Sequence, residues 1–386
     1  MPSLSDFRFR FLLVLIVLLA GCGSGGGSTS TGATTPQAAA PTISTTAAQG
    51  GAVIVSLAST TSGATIYYTV DGSTPTTSSQ IYEAPFLVAS NLTVNAMATA
   101  SGDTKSSVAT QAFSPNIPSG TLVWSDEFSN TGTANVLPSA TNWTYDIGTD
   151  CCGNDDQETY CAAGSSTSPC NPSNPNAYIA PGGGLNIVAE NPSNGVYTSA
   201  RLKSQGLFSF QYGRIEAKMT LPESQGMWPA FWLLGNNIAT INWPACGELD
   251  IMEHIDGSNP PPYAGGTPEG YDWIAGSVHG GASSNEENES QQYHPTGFSA
   301  AASHTYGMIW TKGQIQYYVD SQTNVYATFN STDSTWAPTP WPFDAGPQFI
   351  ILDLAVGGDW PGDVNVGSPT VFPSTMQVQY VRIYTN

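Results

Sequence analysis

The chain has 386 residues, enough for two or three domains at roughly 100–200 residues each. Only 10% of the residues are charged, yet the formal net charge is −20; such a chain is repelled by phosphate backbones, which excludes nucleic acid and leaves a neutral polymer open. Its 40 Gly and 28 Pro, with 17 Tyr and 10 Trp, favour many short strands joined by turns, an all-β plan.

The first element in chain order is a processing segment. Arg8 and Arg10 precede an apolar run over residues 11–20, followed by small residues. A run this short behind basic residues reads as a signal segment rather than a spanning helix. The tetrad Leu19-Ala20-Gly21-Cys22 resembles the bacterial lipobox, which implies removal of residues 1–21 and lipidation of Cys22. That removal takes away Asp6, Arg8 and Arg10 and shifts the net charge from −20 to −21. Gly23 gives no inner-membrane signal, so the expectation is an exported lipoprotein at the outer membrane or cell surface. Residues 22–40, rich in Gly, Ser and Thr, read as a flexible tether that lets an anchored protein stand off its membrane.

Residues 41–115 form a first unit. Strand-like runs at residues 52–57, 65–70 and 92–98 are separated by turn signals such as Asp71-Gly72. In the last run Leu92, Val94, Ala96 and Ala98 share one face. This spacing predicts a small sandwich. The segment ATIYYTVDGSTPTTSSQIYEAPFLV resembles the immunoglobulin-like domain found at the C-terminus of chitobiases and attached to many bacterial glycosidases. The resemblance implies a spacer or weak sugar-binding role, not chemistry; with no row of exposed aromatics evident, the spacer is the expectation. Residues 116–120 are a linker.

Residues 121–386 read as one larger all-β sandwich. Across residues 212–221, Ile215, Ala217, Met219 and Leu221 point one way, and Arg214, Glu216, Lys218 and Thr220 the other. Residues 314–320 and 376–384 are strand-like, and the nearly all-apolar run 349–356 predicts a strand buried on both faces. Cysteines at 151, 152, 161 and 170 crowd into one segment. In an exported protein Cys151, Cys152, Cys161 and Cys170 predict disulfides; the neighbours Cys151 and Cys152 are not expected to pair with each other, which leaves two cross-pairings open. The spacing fits no zinc pattern, and Cys246 is expected to be a buried free thiol.

The informative stretch is Glu248-Leu249-Asp250-Ile251-Met252-Glu253. In a strand Glu248 and Asp250 share a face, whereas Glu253, five residues on, falls on the core side, where an unpaired carboxylate is costly. One β-bulge near Ile251 or Met252 restores the parity and returns Glu253 to its companions. Three acids on one short strand suit a retaining glycosidase, which needs one carboxyl as nucleophile and one as acid/base. Like-charge coupling through Asp250 keeps one of them protonated near neutral pH. An acidic surface strand or a calcium site is the alternative from spacing alone.

The E-x-D-x-x-E pattern after Trp243-Pro244 resembles the bulged active-site signature of glycoside hydrolase family 16, as do TSARLKSQGLFSFQYGRIEAKMTLPESQGMWPAFWLLG upstream and LAVGGDWPG downstream. The resemblance runs from about Trp124 to Tyr384 and is strongest to bacterial laminarinases, which cut β-1,3-glucans. It implies a β-jelly roll with a long cleft, Glu248 as nucleophile, Glu253 as acid/base and Asp250 as the residue that tunes Glu248. Trp228 and Trp232, four apart on one strand face, suit sugar stacking; the resemblance adds His279 beside the catalytic strand, Trp360 at the cleft rim, and Arg201 and Asn154 as sugar-hydroxyl contacts. The family often has Asn at the positions of Asp353 and Asp359, Glu at that of Asp156 and Ser at that of Cys246. No cofactor or catalytic metal is expected. Many members hold a structural calcium through an Asp near the C-terminus; that ion stays open here, although Gln379 occupies the position. A monomer acting on a β-glucan is the expectation. The rivals are mixed-linkage glucan or galactan hydrolysis and non-catalytic glucan binding; sulfated galactans suit a chain with nine Lys and Arg poorly.

Overall fold

Strand alternation and paired apolar faces produce two sandwiches in a computed structural model that describes residues 35–149, 154–255, 273–282, 284–336, 339–364 and 370–386. The signal segment, Cys22, most of the tether, and Cys151 and Cys152 lie outside the described residues. In the N-terminal unit a three-stranded sheet (Thr42–Ala47, Val53–Ala58, Phe86–Val88) faces a four-stranded one (Thr65–Thr69, Gln80–Ile81, Leu92–Thr99, Ala109–Phe113). Val94, Ala96 and Ala98 meet Val55, Leu57 and Phe86 in its core, and Leu92 packs at the margin, as the alternation predicts.

The larger unit also has two sheets. Its groove sheet contains β1 (Thr144–Asp146), β2 (Arg201–Lys203), β3 (Met227–Gly235), β4 (Glu248–Glu253), β5 (Ile274–Ala282), β6 (Asn285–Tyr293) and β7 (Gln348–Val356). Their spatial order is β6-β5-β4-β3-β7-β2-β1, with every pairing antiparallel. The second sheet, of eleven strands among the described residues, includes Gly213–Thr220, His304–Thr311, Gln314–Val319 and Ser374–Tyr384. Between the sheets, Ile215, Ala217 and Met219 pack with Phe231, Leu233, Leu249, Ile251, Ile350 and Leu352, all at most 1% exposed. Each of the larger side chains contributes about 1.5–3 kcal/mol by leaving water.

Strand β7 is buried along its whole length, as its apolar run predicts. Ile350, Leu352, Leu354 and Val356 enter the central core, while Phe349 and Ile351 pack on the other face with Leu234 and Cys246. Cys246 is a buried free thiol, and burial pushes it up to about 12, which keeps it protonated and inert. The disulfide expectation is corrected: Cys161 pairs with Cys170, so neither cross-pairing with Cys151 or Cys152 forms. The two lie nine residues apart around a turn-rich segment, a local closure that excluding only the adjacent pair had left out.

The N-terminal unit is docked on the larger one. Leu87 donates its N–H to the Ser209 carbonyl at 2.9 Å, and Ser209 Oγ donates to the Pro85 carbonyl at 2.9 Å. Ala52 belongs to the central core of the larger unit, and Ile54, Leu87 and Ile117 pack against it.

Candidate active site

The bulge forms where parity required it. Against β3, Phe231 pairs with Met252 and Trp232 with Asp250, so Ile251 is the extra residue. Against β5, Asp250 pairs with Ser277 and Glu253 with Ala275, three residues on one strand spanning two on the other. Ile251 and Met252 thus both enter the core, at 1% and 0% exposure, while Glu248, Asp250 and Glu253 line the same groove. Gly247 precedes the strand at φ +81°, a conformation that L side chains rarely adopt, and an added Cβ would lie 3.1 Å from the Phe343 ring.

The groove has a volume of ≈ 590 Å³. Its lining includes Asn154, Arg201, Trp228, Trp232 and Trp243 beside the three acids, and Asp156 and Asp353 as well. Two indoles divide the two glutamates between them. Trp228 Nε1 donates to Glu253 Oε1 at 3.0 Å, and Trp243 Nε1 donates to Glu248 Oε2 at 3.0 Å. Trp360, expected at the cleft rim, packs edge-on against Trp228 at 5.2 Å and Trp273 at 6.1 Å, beside a tryptophan that lines the groove.

His279 lies on β5 beside the acids. Its Nε2 is 3.1 Å from Asp250 Oδ2, and its Nδ1 is 2.6 Å from Glu286 Oε1, with Asn288 Nδ2 donating to the same Glu286 oxygen at 3.0 Å. Burial alone would lower the imidazole, but these two carboxylates hold it well above its ordinary value, as a cation. Single atoms of Glu248, Asp250 and His279 lie within 4.8 Å of one another, a spacing that could also suit a metal. The imidazolium places the positive charge of this cluster on the protein itself.

Arg201 enters from β2. Its guanidinium stands 4.5 Å from the Trp232 ring centroid and pairs with Asp146 at 3.1 Å. Asp353, 5% exposed, accepts from Trp232 Nε1 at 2.7 Å and from the Tyr160 hydroxyl at 3.2 Å. Burial raises Asp353, and Arg201 offsets part of that rise. Asp353 therefore orients Trp232, which an Asn at that position would do without neutralising Arg201. On the far wall the Asn154 carbonyl accepts from the Asp359 N–H at 2.8 Å, tying the Asn154 segment to the turn that carries Trp360.

These surroundings separate the two glutamates. Burial, then Asp250, pushes Glu248 up to about 8, while His279, Arg201 and the Trp243 N–H pull it back. Burial, then Asp250, also raises Glu253 well above the ordinary carboxyl range, and His279 and the Trp228 N–H oppose it. Arg201 favours ionised Glu248, so of the two carboxyls Glu248 is the first to give up its proton and Glu253 the one that keeps it.

The residues placed from sequence thus meet around one groove, with His279 beside Glu248 and Asp250 on the neighbouring strand and Trp360 packed against Trp228. Sequence reasoning gave no role to Trp243, Asp146, Asp353 or Glu286. Trp243 carried a signal, a tryptophan five residues before the first glutamate. Glu286 becomes legible once the β5–β6 register is known, because it pairs with Gly281, on the same face as His279.

Residues 167–382 match the model for glycosyl hydrolases family 16, and residues 44–110 match that for the chitobiase/beta-hexosaminidase C-terminal domain. A beta-glucanase of Rhodothermus marinus is 35% identical over 280 residues, covering 70% of this chain and 87% of the relative. A glucan endo-1,3-beta-glucosidase A1 of Niallia circulans is 31% identical, covering 70% of this chain and 38% of the relative. The catalytic domain of an endo-1,3-beta-glucanase (laminarinase) from Thermotoga petrophila RKU-1 superposes with a TM-score of 0.55 at 31% identity, covering 69% of this chain and 98% of that one.

Proposed function

The chain belongs to glycosyl hydrolases family 16, and we propose that it is an endo-acting glucanase that hydrolyses β-1,3-glucan with retention at the anomeric carbon. The observation that carries this reading is the bulge at Ile251, which sets Glu248, Asp250 and Glu253 together on the groove floor, each glutamate held by its own indole. The β-1,3 linkage rests on the names of the relatives and of the similar structure.

Glu253 keeps its proton and gives it to the glycosidic oxygen as that bond breaks. Glu248, ionised beside Arg201, attacks the anomeric carbon and forms a glycosyl ester. The leaving chain departs, and Glu253, now a carboxylate, takes a proton from water as the water attacks the same carbon. The ester bond to Glu248 breaks, and the sugar leaves with its original anomeric configuration. Asp250 and the His279 imidazolium remain paired throughout and hold the charge of the site as the proton moves. Trp228 and Trp232 offer ring faces to sugars, and Asn154 and Arg201 offer polar groups to hydroxyls.

The test is reducing-sugar release from laminarin by the full chain beside Glu248→Ala. The parent releases sugar, and the variant falls by at least about 10⁴-fold, in line with loss of a nucleophile. Equal release by both contradicts the assignment of Glu248, and no release by the parent contradicts the β-1,3-glucanase reading.

The proposal extends to location and metal. Cys22 after Leu19-Ala20-Gly21 supports a lipid-anchored, exported protein acting on polymer outside the cell. In the hollow lined by Glu127, Asn130, Gly184 and Gln379, both Glu127 oxygens accept from Arg382, at 2.9 and 2.8 Å, and Gln379 brings no charge. A hard dication prefers carboxylate oxygens that no cation already holds.

A further inference from the structure

The strand register continues past the catalytic residues. Asp250, Trp232, Ile351, Lys203 and Thr144 are successive cross-strand partners, a single row from β4 through β3, β7 and β2 to the edge strand β1. Four strand spacings of about 4.8 Å make that row about 19 Å long, and buried Ile351, packed with Leu234 and Cys246, separates the catalytic groove from the surface beyond it. Arg201 lines the catalytic groove, and Lys203, two residues on and therefore on the same face, lines a second open hollow of ≈ 430 Å³. Asp146 links the two, pairing with Arg201 on one side and Lys203 on the other.

The far wall of this hollow belongs to the N-terminal unit. Glu83 and Ala84 face Thr144, Lys203, Gln205 and Asn236 across it. The Glu83 carboxyl also reaches the Thr240 side chain, on the short helix Ile238–Ile241, whose Ile238 lines the catalytic groove. The segment that carries Glu83 cannot swing freely, because Pro85 and Leu87 are hydrogen-bonded to Ser209 of the larger unit. The wall is therefore fixed relative to the groove.

We propose that the N-terminal unit builds the distal end of the glycan groove, and that the hollow between Glu83 and Gln205 takes remote sugars of a long, uncharged glucan chain. The chemistry suits hydroxyl-rich rings: carboxylate, ammonium, amide and hydroxyl groups of opposite hydrogen-bonding sense converge within one hollow. Its charges are balanced, which fits a neutral polymer. The unit then acts as part of the active surface rather than as a spacer. This inference rests on the glucanase reading above.

The experiment compares the full chain with Gln205→Trp, which fills the hollow, and Glu83→Ala, which strips its wall. Neither residue belongs to the catalytic groove. Each enzyme is assayed on a β-1,3-linked tetrasaccharide and on long laminarin, with melting temperatures recorded. The expected result for Gln205→Trp is a KM for the polymer raised about tenfold, the cost of losing one or two net hydrogen bonds, with tetrasaccharide kcat/KM within about twofold of the parent. Glu83→Ala shifts the same ratio in the same direction by a smaller factor. If Gln205→Trp does not fold, the Glu83→Ala ratio decides alone. An unchanged polymer-to-tetrasaccharide ratio while the parent remains active overturns the distal-site proposal only. A parent inactive on both substrates overturns the glucanase reading and this proposal with it.

Discussion

Glu286 shows how a single exposed-edge residue sets the charge of the active site. It lies on β6, two strands from the strand of both glutamates and next to the strand that carries His279, and it holds the His279 Nδ1 at 2.6 Å. That contact lowers the Glu286 carboxyl and favours the imidazolium, which in turn faces Asp250 and lowers Glu248. In Glu286→Gln the imidazole loses one of its two carboxylate partners and is charged over a narrower pH range. Glu248 then gives up its proton only at higher pH. The acidic limb of the kcat/KM profile is expected to move upward by about half a unit to one unit, with the melting temperature little changed. A profile that keeps its acidic limb while activity falls uniformly would show that Glu286 only supports the strand.

At the scale of the element, everything depends on one extra residue in β4. The sequence pattern made the strand legible, because Leu249 and Ile251 alternate with Glu248 and Asp250, and parity demanded a bulge before Glu253. The register confirms that demand at Ile251. Deleting Ile251 would remove the bulge yet leave Glu253 four residues after Glu248, so plain alternation keeps it on the groove face and Met252 takes the core position of Ile251. The acid/base role is therefore tested by Glu253→Ala, for which the expected outcome is a loss of about 10²–10⁴-fold in activity, since a proton donor is gone. Retained activity would mean that Glu253 is not the acid/base. The strands of residues 212–221, 314–320 and 349–356 were legible for the same reason, since local alternation or a long apolar run fixes the faces they bury. What stayed hidden depended on pairing between distant segments: Asp353 under Trp232, Asp146 between Arg201 and Lys203, and Glu286 across a hairpin from His279. No local period encodes those neighbours. The Cys161–Cys170 bridge was missed differently, because eliminating the adjacent pair removed from view the one pairing compatible with it.

At the scale of the whole molecule, two sandwiches share a surface. The N-terminal unit contributes Ala52 to the core of the larger one and Glu83 and Ala84 to the hollow at the end of its groove. This docking gives the appended unit a defined position relative to the catalytic row, which a flexible spacer would not have. The groove sheet supplies a long floor, and the second sheet supplies the apolar backing that keeps that floor rigid under the acids. Preorganisation of this kind matters because the transition state is stabilised only by groups already in place. The double-displacement mechanism requires that Glu248 bonds to the sugar. The most direct measurement is mass spectrometry of the full chain after incubation with a 2-deoxy-2-fluoro β-glucoside carrying a good leaving group and a β-1,3-linked extension. The predicted result is a one-to-one covalent adduct, mapped by proteolysis to the peptide containing Glu248 and absent from Glu248→Ala. An adduct on another residue, or the absence of any adduct with products of inverted configuration, would contradict it.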